Sequence, residues 1–418
     1  MLKNKEKPKK DWRLTVLAFQ ICVIANSVFG SVAQLYVISK FVMLAFFGVM
    51  AMYVLWRNGR VTIGTGLLLP AVFIIYSIVS VMWSTDKDVA MSQLSTQVQL
   101  ILLLFFTYLV IIDGGSVKDY MDALYIAGFC MLLYALIQYR GLSNYLLAMV
   151  DGGRMGGEIT NQNVFGLVFA KASLGAAYYA IIKKKKWNIL SIILFGFFAF
   201  SSGSKKAAAL VLLGIVCMLL VTYGIKRIYK SLLIGTAVVV VVWLVLQLPI
   251  FSMIYNRLES FFSGELNDSD LNRQGMIRVG MEFFKQRPVF GYGLSNFSVL
   301  DHPYRGTYSH NNYVELLVSL GVVGFAMYYL MLVSPAYTLF LSTRTKTADV
   351  DKLKWFLLLL IGIEIVFGYG AVQFYEKSPY ILIGIALAEA DKLKIAAKQK
   401  AMLLPQNGNK QTEQENGK

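Results

Sequence analysis

Apolar runs near 20 residues alternate with short polar stretches along the chain from Leu14 to Ala388. An α-helix of about 20 apolar residues is long enough to cross the hydrocarbon core of a bilayer. The pattern therefore predicts an all-α polytopic membrane protein, with one membrane domain over about 14–390. It predicts about 12 spans, the tenth long or broken, at about 14–31, 36–56, 61–83, 96–112, 119–139, 163–182, 187–201, 206–223, 231–251, 311–341, 355–372 and 377–390.

Lysine and arginine cluster at six places outside these runs. The clusters are MLKNKEKPKKDWR, WRNGR, KKKKWN, IKRIYK, STRTKTADVDKLK and DKLKIAAKQK. With an even number of spans all of them lie on one side, and such clusters mark the cytoplasmic side. We therefore predict a cytoplasmic basic N-terminus over 1–13 and a cytoplasmic, disordered tail over 391–418. The external loops are then 140–162 and 252–309.

The long external loop 252–309 contains a helical pattern in DSDLNRQGMIRVGMEFFKQRP. Apolar side chains recur there on one helical face, at Met276, Ile277, Met281 and Phe284. Ser269 or Asp270 can cap this helix, and Pro288 ends it. The pattern predicts an amphipathic helix that lies on the outer membrane face.

Composition supports the membrane assignment, because 57% of the residues are hydrophobic and only 15% are charged. The formal net charge of +16 lies largely in the clusters between spans, so it does not indicate nucleic-acid binding. The three cysteines, Cys22, Cys130 and Cys217, lie inside apolar runs without a CxxC motif. Neither a disulfide framework nor a zinc site is predicted.

Several cationic residues occur on the predicted external side. Arg273 lies on the apolar side of the amphipathic helix, where a guanidinium needs a carboxylate, an anionic ligand or lipid head groups as a partner. Arg278 precedes Glu282 by four residues and can pair with it. Arg154 lies between glycines, which let a backbone approach a ligand closely, and arginine binds phosphate through two parallel hydrogen bonds.

Lys205 and Lys206 follow SSGS at the outer end of a predicted span. Positive residues on the external side run against the usual charge distribution of membrane proteins, so they need a specific reason. Interfacial anchoring and ligand binding both supply one.

His310 precedes a predicted span and is one of only two histidines. Asn312 and Glu315 resemble a capping box, so the span is predicted to begin there. The positive end of the helix dipole disfavours imidazolium, which predicts a neutral His310 able to accept a proton. His302, the other histidine, has no such helical context.

Gly321 and Gly324 follow His310 on the same helical face, a pattern that suits close packing between helices.

These features together resemble the bacterial O-antigen ligase and O-antigen polymerase superfamily. The resemblance rests on HN followed by nine residues and GVVG, and on LNRQGMIRVGMEFFKQRPVFGYGLSNF. SSGSKKAAAL and GGRMGGEITNQNVFG are similar to two further blocks of the family. Lys205 stands where the family more often has arginine after serine. The motifs cover roughly residues 150–330.

The resemblance implies a membrane glycosyltransferase with a GT-C-like layout of helices. Its donor would be a glycan linked to undecaprenyl diphosphate, and its acceptor a sugar hydroxyl. The acceptor lies on another lipid-linked repeat in a polymerase and on a lipid A core in a ligase. The resemblance implies no metal and no cofactor. The active site would lie on the external face of the bacterial cytoplasmic membrane, with other polysaccharide-assembly membrane proteins as possible partners.

The resemblance also implies roles for named residues. His310 would be the general base, acting with Arg273 as the second catalytic residue. Cationic side chains would neutralise the diphosphate in place of a metal. The predicted substrate-binding residues are Arg154, Lys205, Arg278, Asn311 and Asn163. We favour a polymerase because no feature of the sequence demands a lipid A partner.

Two other functions stay open from the sequence. A transporter or flippase would use charges at mid-membrane depth, and Lys171 and Glu364 are such charges. Their opposite signs at similar depth also predict a structural ion pair. A peptidoglycan-type polymerase would use a carboxylate base in an outer loop, for which Glu158 is the candidate.

Overall fold

The structure is a computed structural model that describes residues 12–403 apart from 31, 33, 152, 224–227, most of 253–267 and 343–347. The predicted N-terminal segment up to residue 11 and the tail after residue 403 therefore lie outside the described residues. The described chain is all-helical, without β-strands. Its helices are α1 (Trp12–Phe29), α2 (Tyr36–Trp56), α3 (Leu68–Ser80), α4 (Lys87–Ile112), α5 (Val117–Gln138), α6 (Leu142–Val150), α7 (Gln162–Ala177), α8 (Asn188–Ser201), α9 (Lys205–Tyr223), α10 (Ile228–Leu246), α11 (Asp268–Gln286), α12 (Asn312–Ser342), α13 (Ala348–Phe367) and α14 (Lys377–Leu403).

The helices confirm a polytopic membrane protein. Within the described residues, 9 helices are long and apolar enough to cross a membrane. The predicted spans near 14–31 and 187–201 are present as the shorter apolar helices α1 and α8. The last predicted span forms the start of α14, which continues past residue 390 to Leu403. The total of about 12 spans stays a prediction.

Helix α7 forms the centre of the bundle and is the most buried of the candidate spans. It packs against α5, α8 and α9. Small residues allow this close approach: a Cβ atom at Gly166 would lie 2.2 Å from the Ser202 hydroxyl, and one at Gly175 would lie 3.0 Å from Tyr125. Small residues at helix contacts are how membrane helices gain van der Waals packing.

The predicted ion pair is present inside the bundle. Lys171 Nζ on α7 lies 3.6 Å from a carboxylate oxygen of Glu364 on α13. Lys171 also donates to the Ser378 hydroxyl at 2.6 Å, and Gln373 donates to Glu364 at 2.7 Å. Each charge therefore has partners within the protein, as buried charges require.

Helix α12 is broken at Gly321, whose φ of 64° and ψ of −170° are not helical. This conformation favours glycine, because L side chains rarely adopt it. A Cβ atom there would also lie 2.1 Å from the Val289 carbonyl oxygen. The close approach at Gly321 is therefore to the backbone after α11, not to a second helix as the sequence predicted. Gly324 does face a helix, since its Cβ would lie 3.1 Å from Tyr76 of α3.

The segment 288–293 fills this break with its own backbone. The amides of Tyr292 and Gly293 donate to the carbonyls of Val318 and Ser319 at 2.8 and 2.9 Å, and the amides of Val322 and Val323 donate to the carbonyls of Pro288 and Val289 at 2.9 and 3.4 Å. The Tyr76 hydroxyl donates to the Leu320 carbonyl at 2.7 Å. The four bonds between main-chain atoms, which we call the backbone interlock, and the Tyr76 bond satisfy groups that the broken helix leaves open.

Helix α11 packs on the first half of α12. Its Gly280 faces α12, where a Cβ would lie 2.2 Å from Val314. Met276 joins Phe297 and Val318 in a separate apolar cluster. The predicted apolar stripe is correct, but protein covers much of it. The helix begins at Asp268, so Ser269 and Asp270 belong to its first turn, and it ends two residues before Pro288.

Candidate active site

The loop that carries His310 is fixed by the start of α12. The Asn311 side chain accepts from the amides of Tyr313 and Val314 at 2.9 and 3.1 Å, so Asn311 is the N-cap. The buried carboxylate of Glu315 accepts from the Ser309 amide at 2.8 Å. The predicted capping box between Asn312 and Glu315 is therefore wrong. The N-cap is Asn311 instead of Asn312, and Glu315 accepts from the amide of Ser309 instead of that of Asn312.

Asn311 and Asn312 also tie this loop to the connection between α13 and α14. The Asn311 amide group donates to the Tyr369 carbonyl at 3.0 Å. The Asn312 side-chain oxygen accepts from the amides of Gln373 and Phe374 at 2.8 and 2.9 Å. Asn311, predicted to bind substrate, is thus engaged in holding the site together.

His310 itself has a backbone φ of 53° and is half-buried. Its ring centroid lies 4.3 Å from that of Tyr308. Burial lowers the pKa of His310, and the positive charges of Arg273 and Lys206 lower it further. The lowered pKa favours the neutral imidazole at neutral pH, and its causes are desolvation and two cations, not the helix dipole on which the sequence-based expectation rested.

Arg273 and Lys205 meet at one carboxylate. Asp270 lies 3.7 Å from an Arg273 guanidinium nitrogen and 3.6 Å from Lys205 Nζ. The structure thus brings α11 and the start of α9 together at Asp270. Asp270 was not a predicted site residue, and it partly neutralises both.

Lys206 is a second residue that the sequence analysis did not select. Its side chain passes beside Gly370, where a Cβ would lie 2.9 Å from Lys206 Cε. The positive charge of Lys206 contributes to the lowered pKa of His310, and that of Lys205 does not.

Arg154 and Asn163 are brought together next to this lysine-bearing turn. An Arg154 guanidinium nitrogen donates to the Asn163 side-chain oxygen at 3.0 Å, and its Nε donates to the Ser202 carbonyl at 3.1 Å. A Cβ at Gly203 would lie 3.1 Å from Arg154 Nε. Arg154 is therefore positioned by the same SSGS turn that leads into α9.

Two residues lie apart from this site. Arg278 is exposed on α11, unlike the partly buried Arg273. His302 is bound within its own loop: its Nδ1 accepts from the Tyr304 amide at 3.0 Å, which leaves Nε2 to donate to the Phe297 carbonyl at 2.8 Å. His302 therefore has a structural role. Within the described residues, no group of three or more His, Cys, Asp or Glu side chains could hold a metal ion.

A comparison with protein families bears on the classes left open by the sequence. Residues 190–329 match the family model described as O-antigen ligase. This segment is therefore similar to an O-antigen ligase domain. The match confirms the resemblance found in the sequence motifs, and a comparison with curated proteins finds no match. The matched segment contains Lys205, Lys206, Arg273 and His310, whereas Arg154 and Asn163 precede it. Members of the family are membrane ligases or polymerases that act on lipid-linked glycans.

Proposed function

We propose that the protein is a membrane glycosyltransferase that polymerises undecaprenyl-diphosphate-linked oligosaccharide repeats into a surface polysaccharide. One observation carries the proposal: a histidine held neutral stands within the electrostatic reach of two cations, Arg273 and Lys206. A neutral imidazole is suited to accept a proton, and adjacent cations are suited to hold a diphosphate.

In the proposed reaction, the hydroxyl oxygen of the acceptor sugar attacks the anomeric carbon of the donor. The bond between that carbon and the diphosphate oxygen breaks, and undecaprenyl diphosphate leaves with the bonding electron pair. His310 takes the hydroxyl proton as the new glycosidic bond forms. Arg273 and Lys206 stabilise the negative charge on the leaving group, which is the role that a preorganised electrostatic site plays in catalysis.

Arg154 and Lys205 extend this group of cations, because Lys205 shares Asp270 with Arg273 and Arg154 binds the SSGS turn that precedes Lys205. Arg154 already donates to Asn163 and to the Ser202 carbonyl, so its guanidinium is held in a fixed orientation. A fixed guanidinium loses less conformational entropy on binding a phosphate. We assign Arg154 and Lys205 to donor binding, while Arg278 is left out because it is exposed.

Polymerase and ligase share this donor chemistry and differ in the acceptor. The test is assembly by the purified full-length protein with a lipid-linked repeat, a chelator present throughout, and a lipid A core offered in a parallel reaction. A ladder of longer lipid-linked chains supports a polymerase. Transfer to the lipid A core without a ladder would show a ligase instead.

Substitution of the base tests the mechanism itself. His310→Ala should reduce the rate by about 10²–10⁴, the usual contribution of a general base, with donor binding retained. His302→Ala is the matched control and should leave the rate near that of the unsubstituted protein. Full activity of His310→Ala would show that His310 is not the general base. Strict dependence on an added divalent metal would show that protein cations alone do not stabilise the leaving group.

A further inference from the structure

A second polar cavity lies far along the chain from His310, between α1, α5 and the start of α8. It has a volume of about 410 Å³ and is lined by Gln20, Asp122, Tyr125, Ile126, Tyr179, Lys185 and Asn188. Tyr179 belongs to a π-helical turn, Tyr178–Ile182, that follows α7. Such turns are rare and occur frequently at functional sites.

The charges around this cavity are unbalanced toward positive. Its one carboxylate, Asp122, is already paired with Lys118 and accepts from the Tyr179 hydroxyl. Lys185 lies 5.4 Å from the Tyr179 ring centroid, and in the described part of the chain it forms no ion pair. It belongs to a run of four consecutive lysines, residues 183–186. The cavity therefore presents a cation that lacks a protein counter-ion.

Apolar surface continues from the cavity in one direction. Ile126 lines the cavity and is exposed, and Phe129 and Leu133 follow on the same face of α5 and are exposed as well. Trp187, next to the lysine run, is 84% exposed, as is usual for a residue at the boundary between bilayer and water. A cationic, hydrogen-bonding pocket at one end of an apolar stripe matches the shape of a phospholipid.

We propose that this cavity binds the head group of an anionic phospholipid. The phosphate lies against Lys185, with the polar side chains of Asn188 and Gln20 beside it, and an acyl chain follows the exposed face of α5. The basic run places the pocket on the side where positive clusters gather, which is the leaflet that carries anionic lipids. The site is separate from the proposed glycosyl transfer.

The experiment measures the thermal unfolding midpoint of the full-length protein in detergent during titration with phosphatidylglycerol or phosphatidylcholine, with retained lipid followed by native mass spectrometry. Phosphatidylglycerol should stabilise the protein and phosphatidylcholine should not. Lys185→Ala should weaken the apparent affinity for phosphatidylglycerol about fivefold, as expected for one cation near a lipid surface. Lys185→Arg should retain it.

Lys186→Ala is the control, because Lys186 is exposed like Lys185 and carries the same charge in the same run, but does not line the cavity. It should bind phosphatidylglycerol like the unsubstituted protein. If Lys185→Ala and Lys186→Ala weakened the affinity for phosphatidylglycerol equally, the effect would be general charge attraction, and the proposed site would be wrong. Equal stabilisation by phosphatidylcholine would do the same, and displacement of the lipid by millimolar inorganic phosphate would assign the pocket to free phosphate.

Discussion

At the scale of single residues, His310 shows how the pocket sets a proton affinity. Burial and the charges of Arg273 and Lys206 all act against imidazolium. A bound diphosphate would offset both cations, so donor binding should raise the pKa of His310. His310 would then gain proton affinity only when the donor is bound.

This coupling predicts two different pH profiles. Because the pKa of His310 is lowered in the free protein, kcat/KM should fall on acidification only below 6.5, the ordinary value. The acidic limb of kcat, which reports the donor complex, should lie at higher pH than that of kcat/KM. Initial rates across pH 4.5–8.5 measure both limbs, and identical limbs would show that the donor does not change the charge near His310.

The two neighbouring lysines should differ in effect. Lys206→Ala removes a charge that acts on His310, so it should lower the rate by on the order of 10-fold to 10²-fold and move the acidic limb of kcat/KM upward. Lys205→Ala should lower donor affinity more mildly and leave that limb in place, since Asp270 partly neutralises Lys205. The rate and the pH profile of each variant check this prediction. An equal shift of the acidic limb of kcat/KM in the two variants would contradict it.

The sequence predicted the residue types of the site better than their partners. The expectation of a neutral His310 came from a local motif, and the grouping of Arg154 with Lys205 came from the family resemblance. The choice between Lys205 and Lys206 follows from neither, because adjacent residues of a helix point about 100° apart and the neighbour of Lys206, Gly370, comes from the connection between α13 and α14. Asp270 was considered only as a cap, since its pairing with Lys205 joins residues far apart in the chain.

At the scale of elements, the broken helix α12 connects the catalytic loop to the rest of the bundle. Hydropathy predicted the helices because each one carries its own apolar run. It could not locate the break, because the groups that stabilise it belong to residues 288–293 and act through the backbone. The first half of α12 is then held by α11 and by the interlock, and it carries His310 at its head.

Gly321→Ala tests the importance of this break. The left-handed backbone alone should cost about 1–3 kcal/mol, and the approach to the Val289 carbonyl adds to it. The variant should unfold at lower temperature and lose activity. Gly362→Ala in α13 is the control, because a Cβ there meets nothing within 4 Å. Equal thermal stability of the two variants would show that the break is not strained by a side chain.

At the scale of the whole molecule, the orientation in the membrane stays a prediction from charge. The basic clusters place both termini in the cytoplasm and the site on the external face. Arg305 is exposed in the loop between α11 and α12, so a cysteine there can be labelled without unfolding. In a background with Cys22, Cys130 and Cys217 replaced by serine, Arg305→Cys should react with an impermeant maleimide in intact cells. Labelling only after the membrane is breached would show that the loop lies on the cytoplasmic side and that the predicted orientation is wrong.

The interlock in α12 has a consequence for how far the sequences of related chains can diverge. Its hydrogen bonds join main-chain atoms to main-chain atoms, so they do not depend on which side chains surround them. What they require is a glycine at 321, and one at 291, where φ is 70° and a Cβ would lie 2.5 Å from the Val318 carbonyl. The interlock itself therefore places little demand on the other side chains of residues 288–293. We expect chains with little overall identity to share this joint, recognisable by the spacing of a few glycines rather than by resemblance along their length.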